Sequence, residues 1–234
     1  MKPEFDKDKL SEVLQVLREQ LVPELKAEDI GTNSMTPLKA MVARETLLWR
    51  IVELADGVIL CLDAGNNLGA IILARAAIEC AAVQHQLNST IRTVKNMSAV
   101  DVDDAIMRLL VGTRVFSTGD PVEDAKIQMT NVQTCLKNLD KEFKGTGKHY
   151  EYLCEYAHPN WAGTAGLFSA GDATKGIKKL GRYADETQQA LLDEATSSTI
   201  QALVMFASDY ASIVDYWPDF FEACDRPHEG APKT

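Results

Sequence analysis

Residues 68–83 read LGAIILARAAIECAAV, sixteen positions in which Arg75 and Glu79 are the only charges. The run is too short and too charged for an ordinary membrane span, which needs about 20 apolar residues. A helix that is apolar around most of its circumference has to be covered by other helices on several sides. At about 100° per residue, Leu68, Ile71, Ile72, Ile78, Glu79, Ala82 and Gln86 fall within about 60° of Arg75. Arg75 and Glu79 therefore sit in the middle of an apolar stripe. Buried charges need partners. At i and i+4 the two can pair with each other, but base before acid is the weaker order on a helix. A guanidinium also has five donors, more than one carboxylate satisfies, so further acceptors are expected from another helix.

The rest of the chain supplies those helices. Leu10, Val13, Leu14, Val16, Leu17 and Leu21 recur at helical spacing and predict a helix over 6–21, ended near Pro23. Thr36-Pro37 reads as a cap with proline at the first helical position of a long second helix, and Gly65-Asn66-Asn67 as its stop near 64. The third helix covers 68–94 and, after so short a loop, runs antiparallel to the second. Further helices are expected over 101–115, 122–143, 149–158 and 185–216, the last interrupted at Pro218. The glycine-rich stretch between 163 and 182 lacks helical periodicity and reads as an extended hairpin or a long loop. The expected fold class is all-α: a bundle of six or seven helices, with one short β-hairpin near 163–182 as its one non-helical element. The expected organisation is an N-terminal helix and linker over 1–30, the bundle domain over 36–224 and a disordered tail over 225–234. The sequence holds no G-x-G-x-x-G, no G-x-x-x-x-G-K-[ST] and no G-x-S-x-G, and no strand–helix alternation that would carry one.

Hydrophobic residues make up 46% and charged residues 25%, ordinary for a globular chain. The net charge of −10 disfavours non-specific attraction to nucleic acid. Lys175, Lys178, Lys179 and Arg182 form the best candidate for a local basic patch. The five cysteines are odd in number, widely spaced and without a C-x-x-C, which suits reduced, mostly buried thiols rather than a disulfide framework or a zinc site. The first ten residues, MKPEFDKDKL, lack the apolar core of a signal peptide. A soluble cytoplasmic protein with no cofactor and no membrane association is expected.

Two constellations are candidates for chemistry. On the second helix Glu45, Asp56 and Asp63 share the stripe of Leu38, Met41, Leu48, Trp49, Val52 and Ile59, and any of them could meet Arg75. Such a cluster is either an ion network that fixes helix register or a polar pocket inside the bundle. The second constellation is KHYEYLCEYAHPNW, 148–161, with Tyr152 and Tyr156 at i and i+4, Cys154 and His158 likewise, and Glu155 with His158 as E-x-x-H. A di-metal bundle needs that motif twice; it occurs once, so no metal is assigned. Cys154 and His158 lack an orienting group or oxyanion hole in view. The catalytic candidates are Arg75, Glu79, Tyr156 and His158; the ligand-binding candidates are Glu45, Arg75, Glu79, Tyr152 and His158.

ARAAIE on a buried helix, YEYLCEYAHPNW downstream and a long final helix resemble bacterial all-helical domains of unknown function related loosely to the HEPN superfamily, over residues 40–215. That resemblance implies a helical bundle that dimerises, and in many members a metal-independent ribonuclease built on an Arg followed four to six residues later by a His. None of His85, His149, His158 and His228 has an Arg at that distance before it. Arg75 and His158 could replace the motif only by meeting in space. Three functional expectations result. The first is a non-enzymatic binding or interaction module, homo-oligomeric, taking a small ligand or a protein partner. The second is a nuclease-like enzyme of the bundle interior, and the third a metal-binding bundle using Glu155 and His158. An interaction module is expected to expose an apolar face on the final helix around Leu203, Phe206 and Ile213.

Overall fold

The computed structural model describes residues 6–110, 112, 117, 119–121, 124, 128, 130–172, 175–183 and 186–226. The fold is an all-α bundle with one short hairpin. Among the described residues the helices are α1 (Lys7–Arg18), α2 (Thr36–Asp63), α3 (Asn67–Thr93), α4 (Ala99–Leu110), α5 (Val132–Glu142), α6 (Thr146–Ala157), α7 (Glu186–Ser212) and α8 (Trp217–Cys224). Strands β1 (Ser169–Asp172) and β2 (Ile177–Leu180) pair antiparallel, Ser169 opposite Leu180 and Asp172 opposite Ile177. The stretch expected at 122–143 is helical from Val132; its earlier residues, and the tail from 227 on, lie largely or wholly outside the described residues. The predicted interruption at Pro218 is the start of a new helix: proline fits the first turn of α8, where no N–H is needed.

The chain forms two compact units, each of which takes part of α2, α3 and α7. The first comprises Met1–Glu19, Arg50–Ala81 and Asp140–Met205. In it, α1 starts at Asp6, whose side chain accepts from the Lys9 N–H, and buries Leu10, Leu14 and Leu17 one turn apart. Lys7 and Arg18 of α1 pair with Asp63 and Asp56 of α2. The α2–α3 turn closes on Gly65, which at φ 62° takes the left-handed conformation a side chain resists. The Asn66 N–H reaches back to the Cys61 carbonyl at 2.8 Å, and the Asn66 side chain caps α3 through the Gly69 N–H at 3.1 Å. A π-turn over Ala162–Gly166 leads into the hairpin. Gln188, at the start of α7, donates to the Leu167 carbonyl at 3.1 Å and accepts from Asn67 at 2.6 Å, holding three segments together.

The second unit comprises Gln20–Trp49, Ala82–Leu139 and Phe206–Thr234. Its core joins Ala40 and Ala43 of α2, Leu87 and Ile91 of α3, Val102 and Ile106 of α4, and Ile213, Phe220 and Ala223 at the end of the chain. The helical cap at 36 differs in detail from expectation. The Ser34 hydroxyl accepts from the Thr36 N–H at 3.2 Å, and the Thr36 hydroxyl instead donates to Asp103 of α4 at 2.6 Å. Lys39 adds a bond to the same carboxylate at 2.7 Å. Burial alone would raise the Asp103 pKa; the bonds from Lys39 and Thr36 outweigh it and hold the carboxyl below its ordinary value. Asp225, just past α8, accepts from the Asn33 and Ser34 N–H groups at 3.1 and 3.0 Å.

Candidate functional site

In the first unit α3 and α6 bring Arg75, Glu79 and Tyr150 together. Arg75 and Glu79 form the i,i+4 pair at 2.9 Å. The Tyr150 hydroxyl donates to Glu79 Oε1 at 2.8 Å and accepts from Arg75 Nη2 at 3.2 Å. Burial, opposed by the Arg75 hydrogen bond and reinforced by Glu79, pushes this hydroxyl up to about 12. Burial would lower the Arg75 pKa; its bond to Tyr150 and the Glu79 charge outweigh that and raise it. Cys154, one turn beyond Tyr150 and half-buried, adds a weaker hydrogen bond to the phenol. Arg75 and Glu79 stay 30% and 27% exposed, so the cluster is roofed by α6 rather than sealed.

The extra acceptor expected for Arg75 is thus a phenol on α6. Asp56 and Asp63, the acids proposed from helix two, are engaged by Arg18 and Lys7. The difference is physical: α1 delivers two bases to those carboxylates, and a hydroxyl between Arg75 and Glu79 serves both at once.

The other face of α6 meets α7. His149 Nδ1 lies 2.6 Å from Glu194 Oε1, which also accepts from the Ser198 hydroxyl at 2.9 Å. Tyr152 and Tyr156 stack obliquely at 5.3 Å. Burial, then Tyr156 and Glu194, push the Tyr152 hydroxyl up to about 12. His158 caps the end of α6 through its backbone and is exposed; among the described residues its ring makes no hydrogen bond or ion pair. No such bond joins it to Arg75. Glu155, the other half of the E-x-x-H, accepts from Asn160 at 2.8 Å. Among the described residues no group of three or more His, Cys, Asp or Glu side chains is placed to hold a metal.

The second unit holds polar groups that are more deeply buried. Glu45, 6% exposed, pairs with Arg44 and accepts from the Tyr210 hydroxyl at 2.8 Å. The Arg44 guanidinium lies 3.4 Å from the Tyr210 ring centre and donates to the Tyr210 carbonyl at 3.0 Å. Burial, opposed by Arg44 and reinforced by Glu45, raises the Tyr210 pKa. Beside Tyr210 in sequence, Asp209 receives His85 Nδ1 at 2.9 Å and the Asn88 amide at 2.6 Å. Asn88 also reaches Ser212 at 3.0 Å. The sequence named Glu45 alone of these. His85 and Asn88 could have been found as polar residues on the apolar α3, but nothing local announces Asp209 as their partner.

Leu203, Phe206 and Ile213, expected to form an exposed face, are fully buried; Val204 and Val214 are the exposed apolar residues of that region. The residues at 203, 206 and 213 fall on the side of the helix that packs into the core. In the first unit an open groove of about 540 Å³ is lined by Phe143, Ile200, Val204 and Met205, with Asp6, Lys9 and Asp193 among its polar residues. A polar cavity of about 560 Å³ in the second unit is lined by Asn33, Thr36, Lys39, Asp103 and Asp225. Among the described residues one helix, α3, is long and apolar enough to cross a membrane by length and composition, and 56% of its apolar 18-residue window is buried inside the protein.

No protein-family model, no curated protein and no solved structure matches the chain. The fold and the clusters alone define it as an all-α bundle whose charged and phenolic side chains are paired across helices.

Proposed function

We propose that the protein is a non-enzymatic binding module that associates with other protein chains, a second copy of itself included. The observation that carries this reading is the internal pairing of Arg75, Glu79 and Tyr150. The phenol donates to the acid and accepts from the base, so its proton is engaged within the cluster, which supports a role in helix register. Exposed apolar side chains support association: Leu60 at 68%, Trp161 at 77% and Leu180 at 81% are large fractions for such residues. The net charge of −10 favours a protein partner over nucleic acid.

The runner-up reading is a nuclease-like enzyme using Arg75, Glu79, Tyr156 and His158, in keeping with the HEPN-like resemblance. One observation favours it: Arg75 and Glu79 keep roughly a third of their surface exposed. The two readings separate when the purified chain is incubated with single-stranded RNA and its mass is measured by light scattering. The module reading expects no cleavage and a mass above that of one 25.7 kDa chain. RNA cleavage that disappears in Glu79→Gln and His158→Ala would establish the enzyme instead.

A further inference from the structure

The hairpin stands apart from the rest of the chain in its chemistry. Residues 169–182 carry four cations and one acid within a chain of net charge −10. All four residues of β2 are exposed, Ile177 at 52% and Leu180 at 81%. The Gly181 N–H donates to the Phe168 carbonyl at 3.0 Å, in the same register as the strands. Hydrogen-bonded pairs alternate in an antiparallel ladder. Ala170 with Lys179 and Asp172 with Ile177 therefore face inward, and Lys178 and Leu180 turn their N–H and C=O groups outward. The other edge is not equivalent: β1 packs on the π-turn, and Ser169 donates to the Ala165 carbonyl at 2.7 Å. Gly171 is required in β1, because a Cβ there would lie 2.3 Å from the Ile177 carbonyl. The β1 side of the ribbon thus packs on the π-turn, while among the described residues no main-chain bond is made along the outer edge of β2.

We propose that the outer edge of β2 is a docking site for an extended acidic segment of a partner protein, which adds as a third strand. This deepens the binding-module reading and rests on it. Main-chain bonds to Lys178 and Leu180 hold such a segment, and the side chains of β2 set its sequence. Cross-strand neighbours contribute when charges are opposite and apolar residues face one another. The complement of Ile177-Lys178-Lys179-Leu180 is apolar-acid-acid-apolar, which reads the same in either strand direction. A second copy of β2 is the wrong occupant, since full pairing sets Lys178 against Lys179. A phosphodiester backbone can accept from the outward N–H groups but has no donor for the outward carbonyls and no use for Ile177 and Leu180. A membrane needs one apolar face, but alternation puts Ile177 and Leu180 on opposite faces of the ribbon.

The test uses the full chain and a fluorescein-labelled peptide, Thr-Val-Glu-Glu-Val-Thr, followed by fluorescence anisotropy. Binding is expected that weakens with salt, falls at least 10-fold in the double variant Lys178→Glu/Lys179→Glu, and is lost when alternate peptide nitrogens are methylated. Both lysines are exposed, so circular dichroism of the variant should match that of the parent. No binding, equal binding of the methylated peptide, or an unchanged affinity in the double variant overturns the proposal. So does binding of an oligo-dT strand or of phosphatidylserine vesicles that the double variant abolishes, because the edge then serves another class of partner. None of these outcomes touches the RNA and mass measurements that judge the module reading.

Discussion

Tyr150 is 5% exposed, yet its hydroxyl touches two charged groups that are not. Without it, Arg75 and Glu79 would rely on a helical pair in its weaker order, in contact with water on one side. The phenol gives each a second, directional bond and links α3 to α6. Tyr150→Phe keeps the ring and removes only those bonds. The variant should lose about 1 kcal/mol, read as a midpoint a few degrees lower on thermal unfolding. It should leave the mass by light scattering unchanged. An equal or higher midpoint would mean that the hydroxyl does not hold the two helices together.

At the scale of elements, α6 depends on its first turn. Gly145 precedes it at φ 100°, a conformation open to glycine, and offers no side-chain cap. The cap comes instead from Asp140, whose Oδ1 accepts from the Gly147 N–H at 2.9 Å and the Gly145 N–H at 3.0 Å. The bond from Gly147 first, against desolvation that opposes it, and then the bond from Gly145 and the charges of Lys144 and Lys148 hold this carboxyl below its ordinary value. A carboxylate whose folded pKa is depressed stabilises above its unfolded value of about 3.9, and that stabilisation is lost as pH falls through the folded pKa. Asp140→Ala should therefore unfold at lower temperature than the parent at pH 7, and the gap should close below pH ~4. A gap that persists unchanged at pH 2 would assign the effect to packing. This cap was not legible, since the sequence shows only a glycine-rich break at 144–148. The helices themselves were, because Pro23, Pro37 and Gly65 punctuate periods that a single strand of text displays. Arg75 with Glu79 was legible for the same reason. Tyr150, 71 residues from Glu79, and Asp209, 124 from His85, were not. Periodicity shows which face a residue occupies, not which helix arrives opposite it.

For the molecule as a whole, the buried groups set an alkaline limit. No disulfide joins any of the five cysteines. Burial pushes the Cys80 and Cys224 thiols up to about 12 and the Cys135 thiol to about 11, Arg50 opposing the shift at Cys80 and Asp225 and Asp103 adding to it at Cys224. Tyr150 and Tyr152 reach about 12. All five lose a proton more readily unfolded, at about 8.5 for a thiol and about 10 for a phenol. A raised folded pKa contributes stability that is complete below the unfolded value and lost as pH rises through the folded one. Stability should thus begin to fall above pH ~8.5 and fall more steeply above pH ~10, where the tyrosines join and the net negative charge grows. Thermal unfolding from pH 7 to 11.5 reads this directly. Cys80→Ala, whatever it costs at pH 7, should show a shallower alkaline decline because one raised group is gone. A midpoint that stays flat from pH 8 to 11, or a Cys80→Ala decline as steep as the parent's, would show that these thiols already titrate in the folded chain.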